Sequence, residues 1–135
     1  MTQEKQLING KWIEAPAGAE HIGQAAQAAE EAFESYRLQS EGERAAFLRA
    51  IADEIEARAE AITVAACAET SLPQARIEGE RGRTTGQLRL FADYIESGEH
   101  LDVCYEGALP DREPLPRPSL YRIMRPVGPV VVFGA

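Results

Sequence analysis

The chain has 135 residues, of which 44% are hydrophobic and 27% charged, and a formal net charge of −8 at pH 7. That length suffices for one domain with a modest core. The acidic balance argues against nucleic acid or an anionic membrane as a partner, because both repel a negative surface. No apolar run approaches the ~18 residues of a membrane span, no signal core opens the chain, and Cys67 and Cys104 are too few for a disulfide framework. These features predict a cytoplasmic protein.

Two elements are predicted before residue 40. The segment from Leu7 to Ile13 is typical of two short strands around a turn at Asn9-Gly10, because both turn residues tolerate a positive φ. Apolar residues then recur at helical spacing, which predicts a first amphipathic helix from Glu20 to about Leu38.

Two longer helices are predicted between residues 40 and 98. The second helix begins at Ser40, which opens a Ser-x-x-Glu capping box, and runs with a bend to about Glu69. The third begins at a similar pattern, Ser71 to Gln74, and ends before Gly98. We expect the two helices to pack as an antiparallel pair. Their predicted buried stripes are Phe47, Ile51, Ile55 and Ile62 on the second helix, and Ile77, Thr84, Leu88, Phe91 and Ile95 on the third.

The last third of the chain predicts extended structure. Four prolines between residues 110 and 118 exclude a helix there, and the alternation from Leu120 to Arg125 predicts an exposed strand. Val130 to Phe133 is a continuous β-branched and aromatic run, typical of a parallel strand buried on both faces, and Gly134 opens a turn. The predicted fold class is therefore α/β, with a helical layer that leads into the first strand of a nucleotide-binding sheet.

Few residues suggest chemistry. The chain lacks a Gly-x-Gly-x-x-Gly pattern, a phosphate-binding loop, a Gly-x-Ser-x-Gly elbow and a His-Glu-x-x-His metal motif. His21 and His100 have no spaced partners, so both are expected on the surface. Cys67 is expected to be a buried structural thiol on the inner side of the second helix, and Cys104 to lie in an acidic loop. No residue of the chain is assigned a catalytic role.

One flank of the third helix, away from its apolar stripe, carries Arg76, Arg83, Gln87 and Tyr94. Two guanidiniums and an amide on one face can hold a carboxylate. The alternative, which spacing alone favours, is a solvated face whose charges are balanced by Glu78 and Glu80. Glu80 and Arg81 flank the stripe, and we expect them to form a buried, paired contact with an element that this chain lacks.

The end of the chain is a second candidate site. Dinucleotides lie at the carboxyl ends of parallel strands in open α/β sheets. Phe133, Gly134 and Ala135 occupy such a position, where their backbone atoms would contact a cofactor. A core strand followed by an ordinary turn explains the same pattern equally well.

Several segments, in this order, resemble the N-terminal quarter to third of an aldehyde dehydrogenase. They are Ile-Asn-Gly-Lys-Trp at 8–12, Ala-Glu-Glu-Ala-Phe at 29–33, Glu-Arg at 43–44 with Phe-Leu-Arg-Ala-Ile-Ala at 47–52, Glu-Thr at 69–70, Gln-Leu-Arg-Leu-Phe-Ala at 87–92, and Arg-Pro-Val-Gly-Pro-Val-Val-Val-Phe-Gly-Ala at 125–135. The stretches 69–91 and 108–118 are similar to the branch of that family that oxidises α-ketoglutaric semialdehyde (2,5-dioxovalerate) to 2-oxoglutarate.

The resemblance implies an enzyme that uses NAD or NADP, acts on a small-molecule aldehyde and forms a homo-oligomer, either a dimer or a tetramer. In the family a cysteine thiolate attacks the aldehyde, an asparagine amide and a backbone N–H hold the oxyanion, and a glutamate activates water. The resemblance places these three side chains beyond residue 135, so the chain alone is expected to be inactive. It matches Arg83 to a position that lines the substrate tunnel, with Gln87 beside it. It matches Phe133 and Gly134 to residues that line the dinucleotide cleft, and Ala135 adjoins them.

The resemblance also predicts how the chain is organised. Residues 1–100 supply strands and three helices of the cofactor-binding domain, 101–126 a proline-rich crossover and an oligomerisation-type strand, and 127–135 the first central strand of the dinucleotide-binding sheet. About twenty residues that the family has after Ala19 are missing, through a deletion or a gap in the numbered sequence; a deletion would weaken the first strand pair. The chain also ends inside a predicted strand, which indicates truncation. The alternative function is a truncated, non-catalytic helical module that acts through protein contacts.

Overall fold

The computed structural model describes residues 5–14 and 19–134, which form helices and two small antiparallel sheets. The chain divides into two compact units. One is drawn from residues 1–39 and 126–135, and the other comprises Ser40–Arg125. The predicted division at residues 100 and 126 stays a prediction.

The first unit opens with a hairpin of β1 (Lys5–Ile8) and β2 (Lys11–Glu14). The strands pair antiparallel, and the turn between them has φ of 48° at Asn9 and 72° at Gly10. The left-handed turn residues confirm the predicted hairpin. Helix α1 (Ala19–Tyr36) confirms the first predicted helix and ends slightly earlier than expected.

Residues near the end of the chain lie beside α1. Gly128 has a φ of 105°, a conformation that favours glycine, and with Val130 it lines a shallow cavity against Phe33 and Tyr36. The strand predicted for Val130–Phe133 is not confirmed, because these residues pair with no strand among those described and their side chains are 71–91% exposed. A parallel strand needs hydrogen-bonded neighbours and covering helices, and the described residues form only antiparallel pairs.

The second unit is mostly helical. The predicted second helix is divided at Arg58, where φ is −104° and ψ is 17°. The predicted third helix ends as expected at Gly98, which has a φ of 73°. The elements of this unit are α2 (Glu41–Ala57), α3 (Ala59–Thr70), α4 (Gln74–Ser97), a 3₁₀ turn (Glu99–Leu101), β3 (Cys104–Glu106) and β4 (Leu120–Arg122).

The two predicted capping boxes have different outcomes. Ser40 accepts a hydrogen bond from the Glu43 N–H at 3.3 Å, and the Glu43 carboxylate accepts from the Ser40 N–H at 2.8 Å, so the first is confirmed. The Ser40 hydroxyl also donates to this carboxylate and lowers the pKa of Glu43. The second box is wrong. Ser71 has a φ of 58° and ends α3 by donating its N–H to Cys67, while Pro73 precedes α4 without a side-chain bond.

Helices α2 and α4 pack antiparallel, as predicted, but through different residues. Ala45, Ala52 and Ala92 have no exposed surface, whereas Phe47 is 54% exposed. The predicted stripe on α4 is likewise rotated, because Thr85 is buried and its neighbour Thr84 is exposed. Small side chains allow the two helix backbones to approach closely, which pushes the large apolar residues to the flanks of the contact.

An apolar groove follows the outer side of α2 into α3. It is lined by the four residues of the stripe that is predicted to be buried, Phe47, Ile51, Ile55 and Ile62, together with Ala50, Glu54 and Arg58. No helix within 5–14 and 19–134 is long and apolar enough to cross a bilayer.

The last elements form a small sheet. β4 pairs antiparallel with β3 and confirms the predicted strand over three residues. Cys104, expected in a loop, lies exposed on β3. The chain between the strands is closed by two backbone hydrogen bonds between Leu109 and Arg117, at 2.8 and 3.0 Å, and contains a cis peptide bond before Pro114.

Candidate functional site

The inner face of α4 is held by a polar network on Glu56 of α2. One carboxylate oxygen of Glu56 accepts from the Thr85 hydroxyl at 2.7 Å, and the other accepts from Arg81 Nε at 3.1 Å. Arg81 Nη1 also donates to the Thr63 hydroxyl of α3 at 3.0 Å. The bond from Thr85, together with the bond and the charge of Arg81, lowers the pKa of Glu56. The network therefore joins all three helices around the two buried threonines.

Two further arginines connect α2 and α4. Arg49 donates to Asp93 at 2.7 Å and to both oxygens of Glu96 at 2.6 and 3.0 Å, and Arg89 donates to Asp53 at 2.9 Å. The hydrogen bond from Arg49 lowers the pKa of Glu96, and the same pair raises the pKa of Arg49. Arg49 and Glu56 both face α4, although neither belongs to the apolar stripe predicted for the second helix.

The expectation that Glu80 and Arg81 pair and meet an absent element is wrong. Arg81 contacts Glu56 and Thr63 within this chain, and Glu80 pairs with Arg76 at 2.7 Å. The reason is that these neighbours point to different sides of α4, since successive helical residues are separated by about 100°.

The outer face of α4 presents Arg83 to solvent. The Arg83 guanidinium forms no hydrogen bond or ion pair with any residue in 5–14 or 19–134, a condition that it shares among the arginine side chains only with Arg125. The acids that were expected to balance it are engaged elsewhere, Glu78 by Gln74 at 2.7 Å and Glu80 by Arg76. The solvated-face alternative thus describes Arg76 well, but Arg83 keeps its full donor capacity.

The surface beside Arg83 is open. Gln87 lies one turn further along the same flank and is also exposed. Gly79, Gly82 and Gly86 line the other side of Arg83, and a Cβ atom added at any of them would meet no described atom within 4 Å apart from adjacent residues and the backbone of the helix itself. A planar anion can therefore approach the guanidinium without displacing a side chain of α4.

The other residues considered from the sequence form no reactive group. Cys67 is only partly buried and lines an open cavity between α3 and α4 with Thr63 and Arg81. His100, expected on the surface, is partly buried with its ring edge against Tyr94, at 6.3 Å between ring centres. His21 lies partly exposed on α1. Among the described residues, no cluster of His, Cys, Asp and Glu could hold a metal ion.

The predicted cofactor residues belong to the other compact unit. Phe133 is 91% exposed, and its backbone and that of Gly134 form no hydrogen bond with the described part of the chain. The dinucleotide contact expected for their backbone groups stays a prediction. Ala135 lies outside the described residues.

Comparison with known proteins identifies the family. The model of the aldehyde dehydrogenase family matches residues 10–135. Alpha-ketoglutaric semialdehyde dehydrogenase 2 of Azospirillum brasilense is 49% identical over 130 residues, which cover 93% of this chain and 25% of the relative. Alpha-ketoglutaric semialdehyde dehydrogenase of Acinetobacter baylyi is 45% identical over 119 residues, which cover 88% of this chain and 23% of the relative. The chain thus spans about a quarter of the length of these curated relatives. It belongs to the aldehyde dehydrogenase family.

Proposed function

We propose that the chain is the N-terminal part of an NAD(P)-dependent dehydrogenase that oxidises a carboxylate-bearing semialdehyde, with 2,5-dioxovalerate converted to 2-oxoglutarate as the preferred reaction. The names of both relatives support this substrate class. The observation that carries the proposal is the unpaired guanidinium of Arg83 on the open face of α4. A substrate with an aldehyde at one end and a carboxylate at the other needs such a cation at a distance from the reacting carbon.

In this proposal Arg83 binds the substrate carboxylate and orients the substrate. Its guanidinium donates two parallel N–H bonds to the substrate carboxylate, and the Gln87 amide donates to the neighbouring keto oxygen. The tail is thereby fixed, so the aldehyde is held at a constant distance from the nucleophile that the family resemblance implies. Binding energy from the tail then contributes to the rate of the chemical step as well as to affinity.

The cofactor contact is assigned to Phe133, Gly134 and Ala135 through backbone groups. A bound nicotinamide supplies the acceptor for the hydride that leaves the aldehyde carbon. The resemblance matches the nucleophilic cysteine, the oxyanion asparagine and the glutamate to positions outside these 135 residues. We therefore expect no turnover from the chain alone, and we place the complete enzyme in the cytoplasm as a homo-oligomer, a dimer or a tetramer.

The test compares two substrates in the complete enzyme. NAD(P)H formation is followed with 2,5-dioxovalerate and with 4-oxopentanal, which has a methyl group in place of the carboxylate. Loss of a hydrogen bond between charged groups costs about 1.5–3 kcal/mol, so Arg83→Ala should lower kcat/KM for 2,5-dioxovalerate by about 10- to 150-fold. The same variant should leave 4-oxopentanal nearly unaffected. Arg76→Ala, on the same flank but engaged by Glu80, is the matched control and should leave both substrates nearly unaffected.

Two results would contradict the proposal. One is a complete enzyme that oxidises 4-oxopentanal as efficiently as 2,5-dioxovalerate. The other is an Arg83→Ala variant that loses activity equally on both substrates, since that pattern indicates a structural defect instead of a lost carboxylate contact.

A second candidate is the non-catalytic module, and the exposed apolar groove with Phe47 favours it. This alternative predicts no NAD(P)H formation with any aldehyde, even at saturating NAD(P). Turnover that depends on Arg83 excludes it.

A further inference from the structure

We infer that Glu56 is a positioning residue for substrate selection, because it fixes the rotation of α4 and thereby the direction in which Arg83 points. The inference rests on the proposed function, since it concerns the same carboxylate contact. Glu56 lies on α2, whereas Arg83 lies on α4, and Glu56 contacts the side of α4 opposite Arg83.

The geometry of the Glu56 carboxylate is suited to this role. Its two oxygens bind α4 at two positions one turn apart, Thr85 at 2.7 Å and Arg81 at 3.1 Å. Each bond is made away from the helix axis and therefore opposes rotation about that axis, and two bonds one turn apart also oppose tilting of the helix. Thr85 is only 2% exposed, so its bond is shielded from competing water.

Arg81 extends the same constraint to a third helix. Its guanidinium donates to Glu56 through Nε and to the Thr63 hydroxyl through Nη1, and Thr63 is 6% exposed. One carboxylate and one guanidinium therefore tie α4 to both α2 and α3. A change at Glu56 removes its bonds to Thr85 and Arg81 and leaves Arg81 held only by Thr63.

Arg83 stands on the opposite side of α4 from this network. It is two residues from Arg81 and two from Thr85, which places it roughly 180° from their midpoint at about 100° per residue. A rotation of about 10° moves an atom at the roughly 6 Å outer radius of a helix by about 1 Å. A displacement of that size in a positioning group costs up to about 100-fold in rate.

Asp53 provides a matched control. It lies one turn before Glu56 on α2 and accepts from Arg89 of α4 at 2.9 Å, so it also joins the two helices. Its side chain is 71% exposed, whereas that of Glu56 is 36% exposed. Asp53→Asn therefore removes an interhelical ion pair without disturbing the shielded bond to Thr85.

The experiment measures kcat and KM of the complete enzyme for 2,5-dioxovalerate and 4-oxopentanal. Glu56→Gln keeps the shape of the side chain but can accept through only one oxygen. We expect about a tenfold loss in kcat/KM for the carboxylate substrate, an order of magnitude within the cost of an ~1 Å misplacement, with little change for 4-oxopentanal. Asp53→Asn should affect neither substrate. A double variant with Arg83→Ala should be no worse on 2,5-dioxovalerate than Arg83→Ala alone, because Glu56 acts through Arg83.

The outcomes separate this inference from the proposed function. If Arg83→Ala is selective for the carboxylate substrate and Glu56→Gln lowers both substrates equally or neither, Glu56 is structural only and the inference fails while the proposed function stands. If Arg83→Ala is itself unselective, both fail. Should Glu56→Gln not fold, Thr85→Val serves in its place, because it removes one donor at nearly constant volume. A selective loss supports the inference, and its absence overturns it.

Discussion

Ala52 lies in the contact between α2 and α4 and has no exposed surface, like Ala45 and Ala92. Leucine at this position adds three carbon atoms to a site with no exposed surface, so we expect the helices to separate or their side chains to leave preferred rotamers. Overpacking of this kind costs about 1–3 kcal/mol. With a urea m value of about 2 kcal/mol/M for a protein of this size, the unfolding midpoint of Ala52→Leu should fall by about 0.5–1.5 M.

The measurement is urea unfolding followed by circular dichroism, with the m value compared between variants. Ala50→Leu is the matched control, because Ala50 is exposed on the same helix two residues away and lines the apolar groove. This substitution should change the free energy of unfolding by no more than about 0.5 kcal/mol. If Ala50→Leu destabilised the chain and Ala52→Leu did not, α2 would have to present Phe47 and Ile51 to α4, and the interface described above would be wrong.

Three further predictions concern local features. Ser40→Ala removes the cap of α2 and should lower the free energy of unfolding by about 0.5–2 kcal/mol. Ser71→Ala removes no side-chain cap of α4 and should not have this effect; thermal unfolding compares the two variants. Gly82→Ala should raise the free energy of unfolding by about 0.5–1 kcal/mol, because alanine favours the helix more than glycine and the added Cβ has open space. A lower free energy of unfolding would show that the site is obstructed. The pKa values of Glu56 and Glu96 lie below the ordinary 4.5 in the folded chain, so the unfolded chain binds more protons in acid. The stabilisation from these two carboxylates is therefore present above about pH 4.5 and lost as pH falls through the lowered pKa values. In urea unfolding at stepped pH, the free energy of unfolding of Glu56→Gln should fall less steeply in acid than that of the parent chain. An unchanged slope would contradict this account.

Features encoded locally were predictable from the sequence. The hairpin turn at Asn9-Gly10, the cap at Ser40 and the end of α4 at Gly98 each depend on the backbone preference of one or two residues and their nearest neighbours. Ser71 shows the limit of that reasoning. A serine between two helices can end the first or begin the second, and its left-handed backbone assigns it to the first.

The helix contact differs from the one that the large apolar residues of the sequence predict. A seam with 4-3-4 spacing is present in the sequence, and its members are small or charged except for Leu88, which the predicted stripe already included. On α2 it comprises Ala45, Arg49, Ala52 and Glu56, and on α4 it comprises Arg81, Thr85, Leu88 and Ala92. Which charges pair across the seam depends on which helices pack together, and no local sequence pattern specifies the packing partner of a helix. The same reason applies to Val130–Phe133, whose strand character depends on residues far away in the chain.

The two faces of α4 follow different rules of composition. Its inner face has small side chains and paired charges, which hold it closely against α2 and α3. Its outer face has glycine at positions 79, 82 and 86, and glycine in a helix interior costs about 0.5–1 kcal/mol relative to alanine. Neither a positive φ nor a close neighbour among the described residues requires these glycines. A helix optimised only for packing would carry alanine there, and the bare surface beside Arg83 suits the carboxylate contact proposed above.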